Sequence, residues 1–513
     1  MKPAHKIAFN TIVLYIRVLL TGGITLYTTR LVLDALGMED YGIYSLVAGI
    51  VAMLAFLNSA MTVSTQRYLS YYEGKKDLSK QKSIFSNSLL LHFATGILIL
   101  IAMEIAGLFL FDGFLHINTD RIAAARISYR MMEFAVFFAI ISVPFTASLN
   151  AHEDMLLLAA VNVVEVLLRL ALVLLVFYIQ QNERLVFYSL SNALVSLVAF
   201  ALYVIICRLR YKECTLKIHK YVNRKEINEL KSFTGWNLFG SLCGVIRNQG
   251  LSVVLNVFCG LVLNAAYAIA NQLGSYLSFF STSVLQTMNP QIMKSEGNND
   301  RKRMLRLSMT TSKLAFFLFA TIAVPSIFEI KELLNWWLKE IPSYTEAFCI
   351  LILTGTLVNL LTVGLQSAVQ ATGKIKAYQI TVGTLLLMVL PLAFLLLKMG
   401  FPPYSILVGS IIIEFIACIS RLFFLKRIAG LSLKEYFNRV FRKELFPLLI
   451  IVSVCFLVTT NITLNGRFVI TFFLAFVFFL PSVYFIGLCP DEKAAVSEIL
   501  GKVVLKLRKK ELI

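Results

Sequence analysis

Arg17 stands near the middle of a long apolar stretch, and Arg247 near the middle of another. A charged side chain at that depth in a bilayer is costly unless it is paired or faces water, so each is a functional candidate by default. A guanidinium stays charged at any physiological pH and presents a fixed fork of donors that matches phosphate oxygens two at a time. Two such groups, each on the leading helix of one half of the chain, are expected to form a cationic cavity suited to a phosphate or pyrophosphate. At 100° per residue Asn10, Arg17, Thr21, Thr25 and Thr28 fall within an arc of about 80°, one polar stripe running the depth of the first helix. Facing lipid, this stripe would be unstable, so it is expected to line an interior cavity, with packing of Arg17 against a neighbouring helix as the alternative. Arg30, at the outer end of that helix, either joins the site or snorkels to the interface.

Further polar residues share these depths. Gly240 and Gly244 lie on nearly the same face as Arg247, where small residues permit close approach. The following helix carries Asn264, Asn271, Ser278, Thr282 and Asn289 on one face, and the second helix carries Asn58 and Gln66. These amides either meet substrate or hydrogen-bond between helices. Glu165 and Arg169 are spaced four apart and can neutralise each other; Arg130 and Glu133 sit together. Glu104, Lys313, Glu414 and Arg421 have no partner nearby in sequence. Glu104, Glu165 and Glu414 are the candidates for carrying a coupling H+ or Na+, unless each pairs with an arginine on another helix. No metal, cofactor or disulfide is expected, because the eight cysteines form no C-x-x-C pair and lie mostly in apolar stretches, where a thiol acts as a small hydrophobe.

The elements that must position these groups follow from composition. Of 513 residues 58% are hydrophobic and 15% charged, and mean hydropathy is +0.77. This excludes a water-soluble globule, a disordered chain and a coiled coil. About fourteen helices long enough to cross a ~30 Å hydrocarbon core can be drawn, over 9–33, 41–63, 84–111, 127–149, 155–179, 185–207, 233–257, 263–288, 307–328, 345–368, 376–397, 403–424, 445–463 and 468–487. Lys and Arg favour one set of alternate loops by roughly five to one, which places both termini in the cytoplasm. The net charge of +19 resides in short loops such as 208–225, so anionic membrane lipids, not nucleic acid, are the expected neighbours. The first helix lacks a small-residue cleavage site and is expected to be retained. The longest outer loops, 112–126 and 329–344, carry no paired carboxylates and no Ser/His/Asp constellation, so no enzyme is expected.

The sequence also repeats. A shift of 223 places Gly37 on Gly260, Tyr44 on Tyr267, Glu73-Gly74 on Glu296-Gly297, Asp77 on Asp300 and Gln66 on Asn289; a shift of 220 places Asn150-Ala151 on Gln370-Ala371. Six helices plus six, repeated in parallel about an axis along the membrane normal, form the expected core. Residues 1–215 are then a first lobe, 216–430 a second, and 431–513 two additional helices with a basic tail.

The segment 29–47, TRLVLDALGMEDYGIYSLV, preceded by a polar first helix, resembles the R-x-LG-x-x-x-YG-x-Y junction of the multidrug/oligosaccharidyl-lipid/polysaccharide exporter superfamily, in particular its Wzx-type flippases and polysaccharide transporters. Asn150-Ala151-His152-Glu153 and Gln370-Ala371-Thr372-Gly373 resemble its loops after the fourth and tenth helices. The resemblance implies a V-shaped pair of six-helix lobes around a cationic cavity. It further implies translocation of an undecaprenyl-pyrophosphate-linked sugar unit across a bacterial inner membrane for O-antigen, lipopolysaccharide or capsule assembly, often coupled to an ion gradient. Related multidrug exporters commonly use a carboxylate in the first helix, whereas 7–33 here contains arginines and no acid. A cation-coupled drug exporter is the alternative within the class. A membrane glycan polymerase or ligase is the alternative outside it.

Overall fold

The computed structural model describes residues 3–52, 55–111, 117–215, 218–338, 340–462, 464, 466–494 and 496–498. Inside hydrocarbon every backbone amide must find its partner within the protein, which leaves helices as the open-ended solution. The described residues accordingly form α1 (Pro3–Ala52), α2 (Ala55–Gly74), α3 (Leu78–Phe109), α4 (Ile122–Ala151), α5 (Met155–Val176), α6 (Arg184–Arg210), α7 (Ile218–Tyr221) and α8 (Arg224–Gly297). There follow α9 (Arg301–Phe328), α10 (Ile330–Trp337), α11 (Thr345–Leu360), α12 (Val363–Thr372), α13 (Lys376–Lys398), α14 (Ser405–Ala429), α15 (Leu433–Tyr436), α16 (Arg442–Asn461) and α17 (Arg467–Ser482).

Among the described residues eleven helices are long and apolar enough to span a membrane, or twelve if α11 and α12, bent by 43°, make one crossing. Two of these are too long to be single spans: 74 residues of α8 would reach about 110 Å at 1.5 Å each. Both break at a glycine. Gly37 in α1 has φ 79°, ψ 172°, and Gly260 in α8 has φ 80°, ψ −175°, a region open essentially to glycine alone. Dividing α1 and α8 there, with α2 completing the second crossing, gives the fourteen spans expected from the sequence.

The repeat is written into the backbone. Besides the paired glycines, Lys76 and Asn299 both take positive φ, 56° and 60°, and so do Glu153 and Gly373, 60° and 77°. Asp77 caps α3 by accepting from the Lys80 amide, and Asp300 caps α9 by accepting from the Arg303 amide, each at 3.0 Å. Each pair of positions obeys the shift found in the sequence.

Contacts group the chain into two units, one of Phe9–Ser241 and the other of Met1–Ala8 with Leu242–Ile513. In the first, Val32, Leu36, Ile43 and Val47 of α1 pack with Met103 of α3, Tyr129 of α4, Val173 of α5 and Tyr188 of α6. In the second, Leu251, Leu255 and Tyr267 of α8 join Phe348 of α11, Val389 of α13 and Ile406 of α14. There α12 lies hard against α9: a Cβ on Gly364 would come within 2.1 Å of the Ser308 carbonyl oxygen, and the Gly364 amide donates to Ser312 Oγ at 2.9 Å.

The last two spans, α16 and α17, pack Ile451, Cys455, Ala475 and Phe479 against Phe316, Phe317 and Ala320 of α9. Ion pairs pin them at the C-terminal end of α9 and near its middle. Arg467 grips the fully buried Glu329 with Nε and Nη2 at 2.8 and 2.9 Å, and Thr471 donates to the same carboxylate at 2.6 Å. Near the middle of α9 the buried Lys313 ammonium donates to Glu492 at 2.5 Å and to the Arg439 carbonyl at 3.2 Å. Lys313, which lacks a partner nearby in sequence, thus finds one 179 residues away, and the two additional helices are built into the packing of this unit.

Candidate functional site

A cavity of about 310 Å³ opens within the second unit between α8, α11 and α14, lined by Arg247, Asn248, Tyr267, Asn271, Thr356, Asn359, Ser410 and Glu414 among apolar neighbours. Glu414 is its electrostatic pivot. One carboxylate oxygen accepts from Asn359 Nδ2 at 2.6 Å and from Arg421 Nη2 at 3.0 Å; the other accepts from Arg247 Nη1 at 3.3 Å. Arg421 is buried, and its Nη1 also donates to Thr362 Oγ1 at 3.0 Å. Arg247 is a quarter exposed and turns Nε to Asn248 Oδ1 at 3.2 Å. Of its five N–H groups these bonds use two, and the others have no partner among the described residues. Two guanidiniums share one carboxylate, so the cluster keeps one uncompensated positive charge, carried by the arginine that faces the cavity.

The first unit has a cluster of the same composition. Arg17 is half-buried, has no hydrogen bond or ion pair among the described residues, and lies within electrostatic reach of Tyr203 on α6. Tyr203 accepts from Asn162 Nδ2 at 2.8 Å and is also within reach of Glu165. Glu165 pairs with Arg169 at 2.6 Å, as their spacing suggested. Two arginines and one glutamate again leave one positive charge, and here Arg17 is the free one.

The other sequence candidates are distributed as follows. Asn271 lines the second unit's cavity and donates to the Tyr267 carbonyl at 2.9 Å. Asn10 is buried and donates to the Glu153 carbonyl at 2.8 Å, closing the turn between α4 and α5. Thr28 is buried and bonds the Ile24 carbonyl at 2.7 Å; Thr21 is half-buried, while Thr25 and Arg30 are exposed. The polar stripe of the first helix is therefore not one continuous lining. Asn58 Oδ1 and Gln66 Nε2 are buried without a hydrogen-bond partner among the described residues. Asn289 accepts from Ser367 Oγ at 2.6 Å, joining α8 to α12 away from the cavity. A Cβ on Gly244 would meet nothing within 4 Å, so that glycine does not serve close helix packing. The three carboxylates marked for ion coupling all hold arginines: Glu104 takes Arg130 Nε at 3.2 Å, beside Glu165 with Arg169 and Glu414 with two. Among the described residues no group of His, Cys, Asp and Glu could hold a metal.

Sequence reasoning missed a cluster outside the spans. His152, just past α4, bonds Glu213 through Nε2 at 2.5 Å and Glu73 through Nδ1 at 3.3 Å. Its ring stacks on Tyr211 at 4.2 Å, 6° from parallel, and Tyr211 in turn donates to Asp154 at 2.5 Å. Burial alone would push the imidazole pKa down, but the two carboxylates outweigh it and raise the value to about 9. The only signal in sequence was the family-like Asn150-Ala151-His152-Glu153, which names the loop but not its partners.

Residues 7–296 match the sequence profile of a family described as Polysaccharide biosynthesis protein. Among curated protein sequences none matches the chain. Several solved structures share its fold. One is a MATE in the bent conformation, at TM-score 0.72 and 13% identity over 84% of this chain and 98% of that one. Another is a MOP superfamily transporter from Pyrococcus furiosus Vc1, described as having a binding pocket of reverse polarity that suggests a different function, at TM-score 0.71 and 15% identity over 84% and 96%. A third is a multidrug resistance MATE family transporter in an outward-facing conformation, at TM-score 0.69 and 14% identity over 84% and 97%.

Proposed function

The chain belongs to the polysaccharide biosynthesis protein family, a multi-pass membrane transporter with the fold of the MOP superfamily, and we propose that its cargo is a polyprenyl-pyrophosphate-linked oligosaccharide. The direction is from the cytoplasmic to the outer leaflet of a bacterial inner membrane, with both termini cytoplasmic, for O-antigen, lipopolysaccharide or capsule assembly. The observation that carries this reading is the sign of charge at the two clusters. In each, two guanidiniums outnumber one carboxylate; Arg247 is the more accessible arginine of its cluster, and Arg17 is the arginine of the other cluster with no bonded partner among the described residues.

Arg247 meets the pyrophosphate in its cavity by a paired donor contact, Asn271, Asn248 and Ser410 take sugar or phosphate oxygens, and Arg17 offers a second anion contact. Coupling to H+ or Na+ would act through Glu414, whose neutralisation releases Arg247. The shared fold suits a multidrug exporter equally, but an organic cation would meet net positive charge here, and the first helix has no acid between 7 and 33. A polymerase or ligase would need catalytic groups that the short outer loops do not carry.

The test is transport of a labelled lipid-linked sugar in reconstituted vesicles. Arg17→Ala and Arg247→Ala are expected to abolish translocation at normal expression, with Arg247→Lys retaining part of it. Full activity in both alanine variants overturns the anion reading, and drug efflux by the wild type would favour the exporter.

A further inference from the structure

A second cavity, about 260 Å³, lies in the same unit beneath the break between α11 and α12. Leu361 and Thr362 at the break form one wall, Phe415, Ile419 and Leu422 of α14 another, and the segment Leu433–Phe441 closes it. That segment is α15 followed by a π-helical turn, Phe437–Phe441, held in place by Tyr436, whose hydroxyl donates to the Leu361 carbonyl at 2.7 Å. Among the described residues the hydroxyls lining the cavity belong to Tyr436 and Thr362, and both are engaged, the latter by Arg421. The cavity thus offers hydrocarbon and no free hydroxyl, which selects a hydrocarbon chain. Phe415 and Phe437 at its edge are about half exposed.

Charge selects the headgroup. Residues 426–443 contain six Lys and Arg against the single acid Glu435. Arg439 is spent on Asp491 at 2.6 Å and Lys443 on the Ile486 carbonyl at 2.8 Å. Lys434, next to the lining residue Leu433, and Arg442, next to the lining residue Phe441, are exposed and have no carboxylate partner among the described residues. Bases beside an apolar slot at a membrane edge are the arrangement that retains an anionic lipid. We propose that this cavity seats an acyl chain of an anionic phospholipid whose phosphate is held by Lys434 and Arg442. Because Thr362 holds Arg421, and Arg421 with Asn359 holds Glu414, an occupied cavity braces the cluster from which Arg247 reaches its own pocket. Binding of the lipid does not depend on what the transporter carries.

Native mass spectrometry of the detergent-purified full chain, given phosphatidylglycerol or phosphatidylcholine of identical acyl chains, tests this. The wild type is expected to retain one phosphatidylglycerol in preference to phosphatidylcholine. Leu422→Trp, which fills the cavity, should lose that retained lipid. Lys434→Gln and Arg442→Gln should each lower the preference roughly fivefold without changing phosphatidylcholine retention. Equal retention of the two lipids by the wild type overturns the proposal, as does a Leu422→Trp protein that keeps its phosphatidylglycerol. Should Leu422→Trp fail to elute as a single species, the Lys434→Gln/Arg442→Gln double variant decides alone, since both residues are exposed: an unchanged preference refutes the site.

Discussion

Replacing Glu414 by Gln probes the pivot of the second unit. The carboxylate is 6% exposed and faces Arg421 at 3%, so both charges are held where water screens them poorly. Glutamine keeps the shape and one acceptor oxygen, and Asn359 and Arg421 can still donate to it. Its amide nitrogen, however, is a donor where Arg247 Nη1 now finds an acceptor at 3.3 Å, and Arg421 loses its counter-charge. Opposite charges 4 Å apart attract by about 4 kcal/mol at an effective dielectric of 20. Removing one partner of a buried pair costs about 3–5 kcal/mol, because the survivor remains desolvated. For a unit of this size, roughly 2–4 °C of melting temperature accompany each kcal/mol, so Glu414→Gln should melt on the order of 10 °C below the wild type. Tryptophan-fluorescence melts of the detergent-solubilised protein measure this. Glu414→Leu/Arg421→Leu should recover much of the loss, since no unpaired charge then stays buried. With Arg247 released, the surviving Glu414→Gln protein should also bind undecaprenyl pyrophosphate more tightly. A Glu414→Gln protein that melts with the wild type would refute the shared-carboxylate account, and an unchanged pyrophosphate affinity would refute the idea that Glu414 restrains Arg247.

Three further outcomes are expected. His152 is held at about 9, above its ordinary value near 6.5, so its stabilisation is complete below about pH 6.5 and is lost as pH rises through about 9, a span on the order of 3 kcal/mol. Melting temperature followed from pH 6 to 10 should therefore fall more in the wild type than in His152→Ala, and parallel curves would contradict the assignment. Gly37→Ala and Gly260→Ala force a Cβ into glycine-only backbone space and should cost about 1–3 kcal/mol each, read as reduced melting temperature, whereas Gly244→Ala, with open space around it, should be close to neutral. Arg467→Leu strands the fully buried Glu329 and should cost about 3–5 kcal/mol, while Glu329→Leu/Arg467→Leu restores part of it; a double variant no better than the single would show that the pair is not what anchors α17 to α9.

Much of the framework was legible before any coordinates. Fourteen crossings and their parallel repeat could be drawn because the bilayer imposes a length on every apolar run and because both halves mark their turns alike: Gly37 with Gly260, Asp77 with Asp300. Arg247, Asn271 and Glu414 could each be singled out by cost, since an ionisable or amide group at that depth needs a reason. What could not be read was who satisfies whom. Asn10 and Asn289 look like substrate contacts in a helical-wheel projection, yet each closes a structural hydrogen bond to a residue distant in the chain, Asn10 to Glu153 and Asn289 to Ser367.

Residue type and spacing alone thus determined that this chain lives in a membrane, that it is two copies of a six-helix plan, and that an arginine stands near mid-depth on the leading helix of each half. Only tertiary structure decided which of the cations within the spans are neutralised. Arg421 and Lys313 are, while Arg17 and the outward fork of Arg247 are not. The physical reason is that periodicity along a helix is local and fixes only a side chain's face and depth. The pairing of a buried charge is settled by whichever helix packs beside it, here up to 179 residues away.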